Sequence, residues 1–142
     1  MPTVRQVLEG KGFEVETIDP DASVYDAIAA MADKEIGSLV VTEGGRVIGL
    51  ISERDYARKV ILKGRLSKDT RVREIMATRV PYARPDQTVE ECMAVLTDQR
   101  VRHLPVMDGG RLIGIISIGD LVKAIIDEQK FIIDQLIHYI TG

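Results

Sequence analysis

The sequence has few of the residues on which most catalytic and metal sites depend. Among its 142 residues there are one cysteine, Cys92, and two histidines, His103 and His138. A single thiol cannot form an intramolecular disulfide, and no cysteine–histidine cluster has the spacing of metal ligands. Cys92 falls on the apolar side of a predicted helix, where thiols are usually inert core. Since a Walker phosphate loop and a Rossmann glycine fingerprint are also absent, we expect that the chain is not an enzyme and holds no metal.

An excess of positive charge and a long apolar run are also missing. The net charge of −3 gives no reason to expect nucleic-acid binding, because phosphate contacts need clustered Lys and Arg. No apolar run approaches the roughly 18 to 20 residues that span a bilayer, and the start of the chain lacks the apolar region of a signal peptide. An apolar fraction of 45% with 29% charged residues is ordinary for a globular protein. Together with the single cysteine, these features predict a folded protein of the cytoplasm.

An internal repeat is the most informative feature of the sequence. At a constant offset of 65 residues (Pro85 against Pro20) the first half matches the second without a gap. The matching stretches include Pro20-Asp21 with Pro85-Asp86, Gly44-Gly45-Arg46 with Gly109-Gly110-Arg111, and residues 48–55 with residues 113–120. Upstream the offset is 68, where Val4, Val7 and Leu8 match Val72, Ile75 and Met76. The first copy therefore carries three extra residues (68 against 65), which we place in a loop around Gly10-Lys11-Gly12.

Both copies show the same order of predicted elements. Capping-box patterns at Ser23–Asp26 and Thr88–Glu91 predict a helix start in each copy. The apolar residues that follow have helical spacing; they are Val24, Ala27, Ile28 and Met31 in the first copy, and Val89, Cys92, Met93 and Leu96 in the second. Two short apolar strands then flank a Gly-Gly pair, which marks a tight hairpin turn, and another helix follows. The order β-α-β-β-α thus occurs twice, and we expect the copies to pack together because each has too little surface to bury alone.

These motifs, in this order and duplicated, resemble the CBS domain, named for cystathionine β-synthase. The residues that carry the resemblance are Pro20-Asp21-x-Ser23-Val24, Ile36-Gly37-Ser38-Leu39-Val40-Val41 and Gly49-Leu50-Ile51-Ser52-x-x-Asp55, with their partners Pro85-Asp86-x-Thr88-Val89, Val101-Arg102-His103-Leu104-Pro105-Val106 and Gly114-Ile115-Ile116-Ser117-x-x-Asp120. The resemblance covers residues 1 to about 127. It implies an α/β fold in which two β-α-β-β-α CBS repeats pack with pseudo-twofold symmetry into one Bateman module and leave two clefts. We divide the chain into repeat 1 (residues 1–66), repeat 2 (residues 67–127) and a C-terminal helical extension (residues 128–142).

The resemblance also implies a function. CBS modules commonly bind adenosine-containing ligands in their clefts, and many are sensors that regulate an enzyme or a channel. The chain looks like a stand-alone version that binds AMP, ADP, ATP or NAD, with S-adenosylmethionine less favoured, and that modulates an unknown partner protein. The alternative is a constitutive scaffold or protein-interaction module with vestigial pockets. The Ser-x-x-Asp motif, intact in both copies, favours the sensor.

Ser52-x-x-Asp55 and Ser117-x-x-Asp120 are the leading candidates for the ligand sites. In proteins resembling this one, the carboxylate accepts hydrogen bonds from the ribose hydroxyls, and the serine lies near ribose or phosphate. The same pattern at a helix start is also a capping arrangement that needs no ligand. The two roles can coexist.

The remaining candidates surround these two motifs. Arg102 and His103 stand where the family often places groups that reach ligand phosphates; alternatively, Arg102 is a solvated charge and His103 a half-buried side chain. The first copy has Gly37 at this point, so we expect only one cleft to suit a polyphosphate or a dinucleotide. The other candidates are Arg54 as a phosphate contact, Gly119 as a point of close ligand approach, and Leu50 and Ile115 as apolar walls for an adenine ring, whereas Arg58 and Lys59 are interpreted as a solvated helix face.

Past the second copy the sequence predicts a further helix with a broad apolar stripe. Its apolar residues at helical spacing are Val122, Ile125, Ile126, Ile132, Ile133, Leu136, Ile137 and Ile140, and Gly142 is its predicted end. A stripe of this breadth must be covered. It could fold back on its own module. CBS modules that resemble this one often pair into flat, disc-like dimers, however, and we therefore expect a homodimer.

Overall fold

The computed structural model describes residues 1–141 and divides into two compact units. The first-copy unit is Val15–Val80, and the second-copy unit combines Met1–Glu14 with the chain from Pro81 onward. Each unit has a hydrophobic core of its own. The elements in chain order are α1 (Val4–Lys11), β1 (Thr17–Ile18), α2 (Val24–Lys34), β2 (Ser38–Glu43), β3 (Arg46–Ser52), α3 (Glu53–Tyr56), a π-helical segment (Ala57–Ile61), a 3-10 turn (Ser67–Asp69), α4 (Val72–Ile75), α5 (Val89–Gln99), β4 (His103–Asp108), β5 (Arg111–Ser117) and α6 (Ile118–Thr141).

A three-stranded sheet forms the centre of the first-copy unit. β1 runs parallel to β2, and β2 pairs antiparallel with β3. Gly44 and Gly45 make the hairpin turn with φ angles of 58° and 78°, a conformation that glycine adopts without steric cost. The hydroxyl of Ser23 accepts a hydrogen bond from the Asp26 N–H (3.0 Å) and caps α2, as the sequence predicts.

The second-copy unit repeats this arrangement. β4 and β5 form an antiparallel hairpin, and Gly109 and Gly110 at its turn again have positive φ angles, 58° and 81°. The complete capping box predicted at the start of α5 is present, because the Thr88 hydroxyl accepts from the Glu91 N–H (3.2 Å) and the Glu91 carboxylate accepts from the Thr88 N–H (3.3 Å). The predicted apolar faces of α2 and α5 both supply core residues.

The first strand predicted for the second copy is reduced to a single parallel bridge between Ala83 and Val106. In the first copy the Val40 N–H donates to the Glu16 carbonyl (3.2 Å) and lengthens the parallel ladder. The equivalent residue of the second copy is Pro105, which has no N–H to donate. The difference between the sheets therefore follows from one substitution in the repeat.

Each unit is closed by the helix that precedes the other copy in the sequence. α1 packs in the second-copy unit and α4 in the first-copy unit. Equivalent backbone hydrogen bonds hold both helices; they are Val4 N–H to Gln87 C=O (2.9 Å), Arg5 N–H to Pro85 C=O (3.0 Å) and Val89 N–H to Pro2 C=O (3.0 Å), matched by Val72 to Ala22 (2.9 Å), Arg73 to Pro20 (2.8 Å) and Val24 to Thr70 (2.8 Å). Boundaries drawn along the repeat, such as 66/67, therefore describe the sequence but not the compact units.

Two strand glycines allow these exchanged helices to approach the sheets. A Cβ atom added to Gly114 would lie 2.7 Å from a terminal methyl carbon of Leu8 in α1. A Cβ atom added to Gly49 would lie 2.7 Å from the Ala77 carbonyl oxygen and 2.8 Å from the Met76 sulfur, just past α4. Because real Cβ atoms do not approach other atoms so closely, a side chain at either position would force the neighbouring atoms to shift.

The prediction of a loop around Gly10-Lys11-Gly12 is wrong. α1 continues to Lys11, and Gly12 ends it with a φ of 114° while its N–H donates to the Leu8 carbonyl (2.6 Å). The three extra residues of the first copy thus lengthen a helix, whereas its counterpart α4 ends at Ile75. The longer helix is stabilised at its last turn by two contacts of the Lys11 side chain within the same unit.

The predicted C-terminal helix is present and continues the last helix of the second copy. α6 runs without a break from Ile118 to Thr141, so no boundary separates an extension at residue 128. Every residue from Gln129 to Thr141 is exposed, and this half of the helix does not fold back on its own unit. The predicted helix end at Gly142 lies outside the described residues.

The two strand glycines differ in what a side chain would displace, and this predicts unequal effects of Gly→Ala. Gly49→Ala would push against a backbone carbonyl, so we expect a loss of about 2 kcal/mol in the free energy of unfolding, the usual cost of overpacking. Gly114→Ala would push against the end of the flexible Leu8 side chain and should cost less. Urea denaturation of both variants measures the difference.

Gly10→Ala is the matched control for this experiment. Gly10 lies within α1, and a Cβ atom there would meet no other atom within 4 Å. Alanine in a helix is favoured over glycine by up to about 1 kcal/mol, so Gly10→Ala should stabilise the protein. Equal losses in Gly49→Ala and Gly114→Ala would contradict the packing argument.

Candidate functional site

Both Ser-x-x-Asp motifs lie where the last strand of a copy ends and a helix begins. In the first copy, the Ser52 hydroxyl accepts from the Asp55 N–H (3.2 Å), and the Asp55 carboxylate accepts from the Ser52 N–H (2.9 Å) and hydroxyl (3.0 Å). In the second copy, the Ser117 hydroxyl accepts from the Asp120 N–H (3.1 Å), and the Asp120 carboxylate accepts from the Ser117 N–H (2.8 Å). The capping arrangement that the sequence left open is thus formed at both motifs.

A lysine lies against the carboxylate of the first motif. Lys59 belongs to the π-helical segment one turn after Asp55, and its ammonium is 3.3 Å from Asp55 Oδ1. The same ammonium donates to the Ile75 carbonyl (2.9 Å). The sequence predicts that Lys59 belongs to a solvated helix face. Its side chain is indeed 46% exposed, but its ammonium also forms a salt bridge with the Asp55 carboxylate of the motif.

The lysine at the second motif has a different origin. Lys11 lies at the end of α1, 109 positions from Asp120, and its ammonium donates to Asp120 Oδ2 (2.6 Å) and to the Ile115 carbonyl (2.7 Å). In the other copy the carbonyl equivalent to Ile115 is that of Leu50, which accepts from the backbone N–H of Ala77 (2.9 Å). A lysine side chain therefore replaces a backbone donor at the second motif, and this makes the two motifs chemically unequal.

The environment of Asp120 keeps its carboxylate ionised. Burial is the largest single influence and raises the pKa. The hydrogen bonds from Lys11 and Ser117, with the positive charge of Lys11, together outweigh burial and hold the pKa below the usual range of an aspartate. At neutral pH Asp120 is therefore an acceptor only, as a partner for ribose hydroxyls must be.

The register of the second hairpin brings Arg102 and His103 to the same strand end as the motif. His103 pairs across β4 and β5 with the motif's serine, and the Ile118 N–H donates to the Arg102 carbonyl (2.9 Å). The first copy has the equivalent bond from Glu53 to Gly37 (3.1 Å). Arg102 is exposed and His103 is partly buried. The second copy therefore has two basic residues at the strand end that carries its motif, whereas the first copy has Gly37 in place of Arg102.

The other predicted residues differ in accessibility. Arg54 and Gly119 occupy equivalent exposed positions in the first turn of α3 and α6. A Cβ atom on Gly119 would have only the Ser117 hydroxyl within 4 Å, at 3.6 Å, so this position is open to a ligand. Of the two predicted adenine walls, Ile115 is half-buried, whereas Leu50 is 8% exposed and belongs mainly to the interior.

A cavity of about 660 Å3 lies between α1 and α6 in the second-copy unit. Gln6 and Lys11 line it from α1, and Asp120, Lys123 and Asp127 line it from α6. Its volume is within the range of small-molecule sites. Among the residues that the structure describes, Asp120 is the one predicted binding residue in the lining of this cavity. The cavity therefore meets the second motif at Asp120, on the side of the motif that faces α1.

Lys11 is the residue of this site that the sequence analysis missed. It was placed in a loop, and no local pattern relates it to a residue 109 positions away. The signal that could have found it is the three-residue insertion next to it, since the second copy has no counterpart of the longer helix. The Cys92 thiol, in contrast, is where it was expected: it is 1% exposed, and burial with the neighbouring charge of Glu91 raises its pKa to about 11, so it stays protonated.

Comparisons with known proteins agree with this architecture. A model of the CBS domain matches residues 11–62 and 72–127. The mitochondrial CBS domain-containing protein CBSX3 of Arabidopsis thaliana is 37% identical over an alignment of 149 positions, gaps included, that covers 99% of this chain and 72% of that protein. The solved structure of a protein with CBS domains from Burkholderia ambifaria is 53% identical, with a TM-score of 0.87 over 90% of this chain and 96% of that one.

A more distant structure adds a likeness of fold alone. It is the CBS domain pair of protein MJ0100 in complex with 5′-methylthioadenosine and S-adenosyl-L-methionine. The identity is 21%, and the TM-score is 0.80 over 90% of this chain and 98% of that one. The duplicated unit, its exchanged helices and the match to the family model over most of the sequence lead to one conclusion: the chain belongs to the CBS domain family and contains two CBS domains in tandem.

Proposed function

We propose that this CBS pair is a regulatory module that binds an adenosine-containing ligand and modulates a partner protein. The observation that carries the proposal is the ionised carboxylate of Asp120 at the edge of a 660 Å3 cavity. A partly exposed carboxylate with two oxygens is a suitable acceptor for the two hydroxyls of a ribose. The solved CBS pair of MJ0100 holds two adenosine-containing ligands, so the fold is compatible with this class.

The second copy is the better candidate for a ligand that carries phosphate. Three basic residues, Lys11, Arg102 and His103, stand near its motif in the second-copy unit. The first copy has Gly37 in place of Arg102, and its basic contribution comes from Arg54 and Lys59. We therefore propose AMP, ADP, ATP or NAD as the ligand, in preference to S-adenosylmethionine, which has no phosphate.

Regulation by this site requires two states of the protein. A ligand shifts an equilibrium only as far as its affinities for the two states differ. The Lys11 side chain is a suitable element for such a shift, because it joins α1 to the second motif through its contact with Asp120.

The competing function is a constitutive scaffold, and one observation favours it. Both motif carboxylates already have capping and lysine partners, so neither needs a ligand to satisfy its charge. Catalysis is less consistent with the chain: the Cys92 thiol is protonated and buried, and residues 1–141 contain no group of three or more His, Cys, Asp and Glu suited to a metal ion.

We further propose that the module forms a homodimer through the exposed half of α6. Ile126, Ile133 and Ile140 follow one another at intervals of seven residues, and Leu136 lies on the same side, with exposed fractions between 44% and 80%. A seven-residue spacing of apolar side chains is the pattern by which two helices pack along a common seam. A second copy of the chain presents the same stripe and is therefore a matching partner.

The cytoplasmic location stays a prediction. Among the residues that the structure describes, no helix has both the length and the apolar character needed to cross a membrane. CBSX3 of Arabidopsis thaliana is a mitochondrial protein.

A titration followed by thermal unfolding tests the ligand. AMP, ADP, ATP, NAD and S-adenosylmethionine are each added to the protein, with GTP as the control for the base. A ligand that binds only the folded state at 100 times its Kd adds about 2.7 kcal/mol of stability, so we expect a saturable rise in Tm for at least one adenosine ligand and none for GTP. No rise at millimolar concentration would favour the scaffold.

Substitution of Asp120 tests the ribose role of the motif. Asp120→Ala should abolish binding at the second copy while the protein stays folded, because the loss of a cap costs only about 1 kcal/mol. Glu91→Ala is the matched control: it removes a capping carboxylate of the same kind from α5, away from the motif. Isothermal titration calorimetry with the best ligand measures both variants, and normal binding by Asp120→Ala would contradict the assigned role.

Substitution on the α6 stripe tests the homodimer. Ile133→Asp places a charge in the proposed seam and should convert a dimer into a monomer, as measured by light scattering after size exclusion. Gln135→Asp introduces the same charge on the opposite side of the helix and should leave the dimer intact. A monomeric wild type, or equal dissociation of the two variants, would count against pairing through this stripe.

A further inference from the structure

The contacts of Lys11 set a condition on what can bind at the second motif. Its ammonium lies 2.6 Å from Asp120 Oδ2 and 2.7 Å from the Ile115 carbonyl oxygen, and Asp120 Oδ2 also accepts the Ser117 N–H at 2.8 Å. With two donors at this one oxygen, its acceptor capacity is filled. A ribose that takes both carboxylate oxygens with its two hydroxyls must therefore displace the Lys11 ammonium.

Displacement is costly unless the ligand brings a new partner for the charge. The Lys11 side chain is 34% exposed, and an ammonium that leaves Asp120 loses a charge-assisted hydrogen bond. The hydroxyls of a ribose are uncharged and do not replace the lost ion pair. A phosphate does, because it offers several anionic oxygens to an ammonium, and a lysine has a flexible four-carbon stem with which to follow it.

We infer that Lys11 is a specificity-determining residue, which makes the second-copy site select phosphorylated adenosine ligands over the unphosphorylated nucleoside. This inference rests on the proposed function and adds to it the reason for the selection. A nucleotide offers its ribose to Asp120 and its phosphate to the released Lys11. Adenosine competes with Lys11 for Asp120 and supplies no anion in return. In the first copy Asp55 is paired with Lys59 of the following π-helical segment, at the longer distance of 3.3 Å and with a more exposed side chain (46%), so we expect weaker selection there.

The inference predicts opposite changes for two ligands in one variant. Lys11→Met removes both the competitor for Asp120 and the partner for phosphate, so adenosine should bind as tightly as before or more tightly, whereas AMP and ATP should bind more weakly. If Lys11 had a purely structural role, Lys11→Met would weaken the binding of adenosine, AMP and ATP alike. We expect the ratio of nucleotide affinity to adenosine affinity to fall by about tenfold, the equivalent of one charge-assisted hydrogen bond.

The experiment is calorimetric titration with adenosine, AMP and ATP in an Asp55→Ala background, so that the second copy alone reports binding. Lys11→Gln is measured beside Lys11→Met, because glutamine lacks the charge but can still donate to the Ile115 carbonyl and so supports α1. Lys11→Arg should restore the wild-type ratio. Arg5→Met is the control for charge, since Arg5 is a cation of the same helix α1 that pairs with Asp108 and does not line the cavity.

A fall of the ratio in Lys11→Met and Lys11→Gln, with Lys11→Arg and Arg5→Met unchanged, is the expected result. An unchanged ratio in both neutral variants, or an equal fall in Arg5→Met, would overturn the role of Lys11 while leaving nucleotide binding itself in place. If the Asp55→Ala protein with Lys11 intact binds none of the three ligands, the proposed function of the second copy fails, and the inference fails with it.

Discussion

The close packing of a helix against a strand glycine is the constraint on which the rest of each unit depends. Gly114 leaves room for Leu8, and Gly49 leaves room for Met76 and the Ala77 carbonyl. Leu8 is fully buried in this position, and so are the α1 and α4 valines, Val4 and Val72, that begin the same helices. Without these helices each hairpin would expose one face of its strands. The position of the site residues depends on the same contact, since Ile115 follows Gly114 directly in β5, Asp120 lies in the first turn of α6, and both accept hydrogen bonds from Lys11 of the packed helix.

Much of the fold could be predicted because the decisive signals are local. The Gly-Gly turns, the capping residues Ser23 and Thr88, and the apolar helix faces each act over a few positions and appear twice. The repeat itself confirmed each signal by a second occurrence. The shortened first strand of the second copy could also have been read from Pro105, whose missing N–H removes one bond of the ladder. What was not predictable is the exchange of α1 and α4, because a backbone bond such as Val4 to Gln87 joins parts of the chain that no local pattern connects.

The candidate site was predictable to the same extent and for the same reason. Ser-x-x-Asp is a local motif, and both copies form it; the register that sets His103 opposite Ser117 follows from the hairpin. The lysine at Asp120 was missed because it arrives on the exchanged helix. The Asp120 carboxylate caps the start of α6 by accepting from the Ser117 N–H, and its side chain remains 23% exposed.

The discontinuous second-copy unit has a consequence for the order in which the protein folds as it is synthesised. Val15–Val80 is an unbroken stretch, so its core can close once α4 has left the ribosome. The segment Met1–Glu14 emerges before this unit but has its packing partners from Pro81 onward, so the apolar face of α1 stays uncovered while the whole first-copy unit is synthesised. Val4 and Leu8 are thus made before the first-copy unit and buried only after it. Such delayed long-range contacts slow folding, and until they form the apolar residues of Met1–Glu14 remain accessible to chaperones.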